Sequence, residues 1–209
     1  MLQDRFVRII ACCALGLFFA AGLAWYQTQQ EFSARQMNLV EPLSDGPYGG
    51  NYTLLNGAGE TVTNADFSGQ FKLVFFGFTF CPAVCPAELA KLADVLETLG
   101  PVAKSVKPIF ISVDPERDTP DVMKEYTAQF HESIIGLTGS RAQIDTVLDG
   151  FKIYASKVEM EGMDGYMVDH SSFLYFLGPN DRLLALFKPQ DSAEDIVSSI
   201  QGWFGQIKS

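Results

Sequence analysis

The chain has 209 residues, enough for one ordinary domain plus an appendage, and its 47% apolar content supports a substantial core. Its formal net charge of −10 argues against a nucleic-acid binder, which presents a basic face.

The appendage comes first. Val7–Tyr26 reads VRIIACCALGLFFAAGLAWY, and its stretch from Ile9 to Tyr26 carries no charge, about the length needed to cross hydrocarbon. Arg5 and Arg8 precede it, and Trp25-Tyr26 close it as an interfacial aromatic pair. The expected arrangement is one transmembrane helix, with the N-terminus on the cytoplasmic side and the rest of the chain across the membrane. A cleaved signal peptide is the main rival, because Ala20, Ala21, Gly22 and Ala24 are small. A lipoprotein site at Cys12 is weaker, since almost no apolar segment precedes it. Cys12 and Cys13 read as filler inside the apolar run. The lack of an Arg- and Ser-rich presequence favours a bacterial inner membrane, with the folded domain in the periplasm, over a mitochondrial one. The expected division is 1–26 as stub and anchor, 27–47 as tether, and 48–209 as the folded domain. With Asp4, Arg5 and Arg8 set aside, 24 acidic and 13 basic residues follow the anchor. That is ordinary solubilising charge, with some preference for basic partner faces.

Tyr52–Leu55 and Glu60–Thr63 flank Asn56-Gly-Ala-Gly59 and predict an N-terminal hairpin. Leu73–Phe78 is short, aromatic and β-branched, as a strand buried on both faces requires. Leu89, Leu92, Leu96 and Leu99 share one stripe of the following helix, which Gly100-Pro101 ends. Pro108–Val113 is a second apolar strand ending in the turn signal Asp114-Pro115. Thr119-Pro120 caps a helix with Val122, Tyr126 and Phe130 on one stripe. Ile134–Leu137 is a short strand, and Ser140 with Gln143 forms a capping box for a helix holding Ile144, Val147 and Leu148. Phe151–Val158 reads as an edge or hairpin strand. Ser172–Leu177 and Leu183–Phe187 make a hairpin about Gly178-Pro-Asn-Asp181. Asp191 with Glu194 is a further capping box, and Ile196, Ile200, Trp203 and Phe204 form the buried face of the last helix. The order mixes parallel crossovers with antiparallel hairpins, which predicts an α/β fold with a central mixed sheet flanked by helices.

The chemistry gathers at Cys81 and Cys85, where the central strand hands over to a helix. Open α/β sheets place reactive groups at that edge. Residues four apart on a helical turn lie on one face, so the two thiols can close a disulfide or share a metal ion. The helix N-terminus favours a thiolate there, and Pro86 suits the first helical position. A purely structural disulfide, or packing as small hydrophobes, is the plainer alternative. Of the two histidines, His131 reads as a solvated helix end. His170 sits at another strand edge, after the flexible Glu161–Gly165, and is a candidate ligand or a loop histidine held by hydrogen bonds. Asp114 either forms a turn or helps to orient a bound ion or a partner. Asp169 is a poor orienter of His170, because strand neighbours point to opposite faces. Met160, Met163 and Met167 crowd the loop before His170 and read as loop packing rather than thioether ligands.

Phe80-Cys81-Pro-Ala-Val-Cys85-Pro86, Ser112-Val-Asp114-Pro-Glu-Arg-Asp118-Thr-Pro120 and Asp169-His170-Ser171, in that order, resemble the Sco/SenC family. The likeness covers roughly Leu54 to Phe204. It implies a membrane-anchored, thioredoxin-like copper protein with an inserted hairpin or loop before the histidine. Cys81, Cys85 and His170 would then hold one copper ion. The implied role is delivery of copper to the dinuclear site of cytochrome c oxidase subunit II, or to a similar apo copper site. Other copper chaperones or thioredoxin-like reductants are further candidate partners. Soft thiolates suit Cu(I), and mixed sulfur–nitrogen sites also hold Cu(II). Structural zinc would want a fourth protein ligand. The competing role is reduction of the same oxidase cysteines by the Cys81–Cys85 pair, in which those cysteines are the redox-active groups. A peroxiredoxin is disfavoured, because the Pro-x-x-x-Thr-x-x-Cys pattern is absent around Cys81. A generic thioredoxin is disfavoured by the CxxxC spacing.

Overall fold

The computed structural model describes residues 22, 43–159 and 165–207. The expected anchor (apart from Gly22), most of the tether, and Met160 and Met163 lie outside these residues. Among the described residues no helix is long and apolar enough to cross a membrane.

Seven strands form one sheet in the order β2-β1-β5-β4-β3-β8-β9. They are β1 Thr53–Asn56, β2 Thr61–Thr63, β3 Phe71–Gly77, β4 Val106–Ser112, β5 Ile135–Thr138, β8 Leu174–Leu177 and β9 Leu183–Phe187. β3 pairs in parallel with β4 and antiparallel with β8. Every residue of β3 is buried, as the unbroken apolar run requires of a strand covered on both faces. Alternation along the strand divides the core between those faces. Phe75 stacks towards Phe110, which in turn meets Tyr126, while Phe76 packs on Phe151 and Tyr175.

The helices are α1 Val84–Leu99, α2 Pro120–Ala128, α3 Arg141–Phe151 and α4 Ala193–Ile207. α1 buries the expected leucine stripe together with Cys85 and Val95. α3 begins with the Ser140–Gln143 capping box. The result is a thioredoxin-like mixed sheet flanked by helices, as expected.

Several local expectations need correction. The buried line of α2 is Met123 and Thr127, with Val122, Tyr126 and Phe130 only partly covered. Packing against β5 selects the narrower stripe. Phe151 belongs to α3, and the strand read from there starts later, as β6 Ala155–Glu159. The final capping box uses Ser192 and Asp195, while Asp191 accepts from the Lys188 N–H. Pro86 is the third residue of α1; it still sits in the first turn, where no N–H has an intrahelical partner. The inserted segment before the histidine is a hairpin: β7 Tyr166–His170, for which the sequence reading has no range, pairs antiparallel with β6 in a separate two-stranded sheet.

A charged side chain, that of Lys72, lies inside the sheet. Lys72 is 2% exposed, and its ammonium meets the Asp181 carboxylate in the β8–β9 turn. Before β1 the chain runs along β9, where Leu43 N–H donates to Leu183 O and Tyr48 N–H to Asp181 O.

Candidate metal centre

Cys81 and Cys85 straddle the start of α1. Cys81 lies half-buried in the loop after β3, and Cys85 is buried in the first helical turn. Both are free thiols. The Cys85 backbone N–H points at Cys81 Sγ, 3.4 Å away. That N–H is one of the donors that a helix start leaves without an intrahelical partner.

Cys85 comes close to the sheet because the facing strand residue has no side chain. A Cβ on Gly77 would stand 2.7 Å from Cys85 Sγ and 2.9 Å from the Phe110 ring. Burial pushes the Cys85 thiol well above its ordinary pKa, and the Phe78 backbone N–H offsets this in part. A bound cation would reverse that balance, because its charge favours the thiolate.

The loop between β3 and α1 is clamped from beneath. Asp118, fully buried, accepts from Thr79 N–H and Thr79 Oγ1 and from Ser112 Oγ. Burial raises its carboxyl above the usual range, against these bonds. Rigid support of this kind holds the position of the cysteine loop relative to β4.

His170 is the last residue of β7, and its Nε2 lies 3.8 Å from Cys85 Sγ. The other ring nitrogen, Nδ1, is 3.0 Å from Ser171 O. If that contact is the Nδ1–H donor, Nε2 carries the lone pair towards the sulfur. The Phe78 ring meets the imidazole edge to face at 5.8 Å. Burial lowers the His170 pKa, with the Ser171 carbonyl and the Asp169 charge opposing it, so the neutral form is favoured. A neutral imidazole is the form that binds metal.

The structure thus brings His170 to Cys85 across 85 positions of sequence. Among the described residues no three His, Cys, Asp or Glu side chains already stand as a closed ligand cage. Cys81 is the more exposed of the two sulfurs.

The other candidates fall elsewhere. His131 Nδ1 accepts from Ser133 N–H at 3.1 Å, a loop contact at the end of α2. Met167 packs against the core. Asp169 is exposed. Asp114 is fully buried and accepts from Tyr166 OH at 2.7 Å and from Arg117 Nε. It therefore ties the turn after β4 to β7. Neither Arg117 nor Tyr166 drew notice as a site residue in the sequence. The signal was present: Tyr166, Val168 and His170 alternate, as one face of a strand does.

Comparison with known proteins identifies the family. The family model described as SCO1/SenC matches residues 40–205. An SCO2-like protein of Rickettsia felis is 35% identical over 204 residues, spanning 96% of this chain and 98% of its own. The structure of Bradyrhizobium japonicum ScoI with copper bound is similar, with a TM-score of 0.68 at 36% identity over 74% of this chain and 98% of that one. BsSco, a member of the Sco family of cytochrome c oxidase assembly proteins in which a disulfide switch was identified, is 28% identical. It gives a TM-score of 0.61, over 78% of this chain and 96% of its own. With a match that runs from before β1 into α4, and with relatives alike over nearly their whole length, the chain belongs to the SCO1/SenC family.

Proposed function

We propose that this domain carries one copper ion as cargo on Cys81, Cys85 and His170. It delivers the ion to the dinuclear copper site of cytochrome c oxidase subunit II during oxidase assembly. The carrying observation is the 3.8 Å approach of His170 Nε2 to Cys85 Sγ. Copper bound to the similar ScoI and the oxidase-assembly role of the family of BsSco support the reading. Two thiolates and one imidazole form a soft set suited to Cu(I), and the same mixed donors also accept Cu(II). Cys81 completes the set by turning its sulfur inward, a change of side-chain rotamer. A set with one loosely held donor opens readily, as a delivered cargo requires. The apolar segment from Ile9 to Tyr26 would hold the domain on the periplasmic face of an inner membrane.

The test is Cu(I) loading of the reduced full-length chain followed by X-ray absorption. The expected shell is two sulfurs and one nitrogen, and His170→Ala should lose the nitrogen and weaken binding. Binding by His170→Ala as tight as wild type overturns the three-donor reading.

A second reading rests on the free thiols and the helix N–H at Cys81 Sγ. In it, Cys81 and Cys85 reduce a disulfide at the oxidase copper site. They pass two electrons to it, become a disulfide themselves, and leave two thiols on the target. A reductase of this kind keeps its activity in His170→Ala, whereas a copper carrier does not keep its cargo.

A further inference from the structure

The His170 hairpin makes no backbone ladder with the main sheet, since β6 and β7 pair only with each other. Its seat on the domain is set by side chains, and one of these also touches the cysteine loop. The Arg117 guanidinium lies 4.0 Å from the centre of the Tyr166 ring on β7 and 4.6 Å from that of Phe80, the residue before Cys81. It stands 5.7 Å from the Phe78 ring, whose edge meets His170. Asp114 holds Arg117 through Nε, and Nη1 donates to Tyr166 O at 3.0 Å. Nη2 is buried without an oxygen partner, leaving the aromatic faces as its surroundings. A planar cation between rings gains from both faces, which an ammonium on a flexible stem does not reproduce.

We infer that Arg117 is a positioning residue that clasps the cysteine loop to the histidine hairpin and so sets the distance from His170 Nε2 to Cys85 Sγ. Tyr166 and His170 share the inward face of β7, with the buried Val168 between them. They stand about 13 Å apart along the strand. Fixing Tyr166 at one end therefore fixes the tilt of the strand that presents the imidazole at the other. Asp114 anchors both members, since it accepts from Arg117 Nε and from Tyr166 OH. Phe80, 59% exposed, is the outer plate of the clasp.

The inference rests on the three-donor reading for its consequence and on the metal-free protein for its geometry, so two measurements separate them. In the metal-free full-length chain, labelled at phenylalanine and histidine, nuclear Overhauser contacts between the Phe78 and His170 rings report the seating of the hairpin. Arg117→Ala should abolish them, Arg117→Lys should not restore them, and Tyr166→Phe should weaken them. Phe80→Ala removes only an exposed ring, so it tests the clasp without threatening the core. In the copper-loaded chain, Arg117→Ala should keep both sulfurs, lose the nitrogen, and bind Cu(I) about 10–100-fold more weakly. Wild-type ring contacts in both Arg117→Ala and Phe80→Ala overturn the clasp. A wild-type shell without nitrogen overturns the three-donor reading and leaves the ring-contact result standing.

Discussion

The seven-stranded sheet and the β6–β7 hairpin each supply part of the same site, and they are held in different ways. β3 is buried along its whole length and is paired on both sides, by β4 and by β8. Its hydrogen bonds and its apolar faces specify one register. The hairpin has only one buried residue on β7, Val168, and three consecutive exposed ones on β6. It reaches the body through the Arg117 contacts, the Tyr166–Asp114 hydrogen bond and the Lys157–Glu116 ion pair. Cys85 therefore stands on the rigid part of the molecule and His170 on the adjustable part. Under the proposed copper-carrier function, that asymmetry would let the imidazole withdraw while a sulfur keeps hold.

Substitutions that strike one region and spare the other test this contrast. The largest effect belongs to the sheet. Phe76→Ala removes a fully buried ring between Phe151 and Tyr175, and denaturant titration should show a loss of about 3–5 kcal/mol. Hydrogen exchange should rise in β3 and β8 alike. Asp181→Asn strands the Lys72 ammonium inside the sheet, for an expected loss of about 3 kcal/mol in the same titration. Lys72→Met, which removes the buried charge instead, should cost much less.

Val168→Ala sharpens the comparison from the other side. It should cost about 1–2 kcal/mol, with faster hydrogen exchange confined to β6 and β7 and β3 unchanged. Uniform acceleration through β3 would mean that the hairpin and the sheet open as one unit, against the asymmetry argued above. The smallest effect is Ser140→Ala, which removes the α3 cap. Thermal unfolding should show a loss of about 1 kcal/mol, and the Phe78–His170 ring contact should persist.

Local sequence rules reached most of the scaffold. The apolar run at β3, the leucine stripe of α1 and the Ser140–Gln143 box are short-range patterns, and each appears in the fold as read. The misread elements were those whose neighbours decide their state. β7 follows a glycine-containing stretch and has no range of its own in the sequence reading; β6 pairs with it along its whole length. Phe151 extends α3 because its ring fills the space beside Phe76 and Tyr175. Arg117 stands in a motif of the family resemblance, yet its role escaped the reading, since apart from Asp114 its partners lie in the cysteine loop and on β7.

The sequence by itself determined the spacing of Cys81 and Cys85, the strand that leads to them and the helix that begins there. These are settled within a few residues, by periodicity and by the chemistry of helix ends. The tertiary structure alone decided that His170 Nε2 comes to 3.8 Å from Cys85 Sγ, that Gly77 leaves room for that sulfur, and that Arg117 lies between the cysteine loop and the histidine hairpin. The physical reason is that side-chain periodicity specifies which face of an element is buried but not which distant element covers it. That choice is made by packing and by pairing the polar groups that remain.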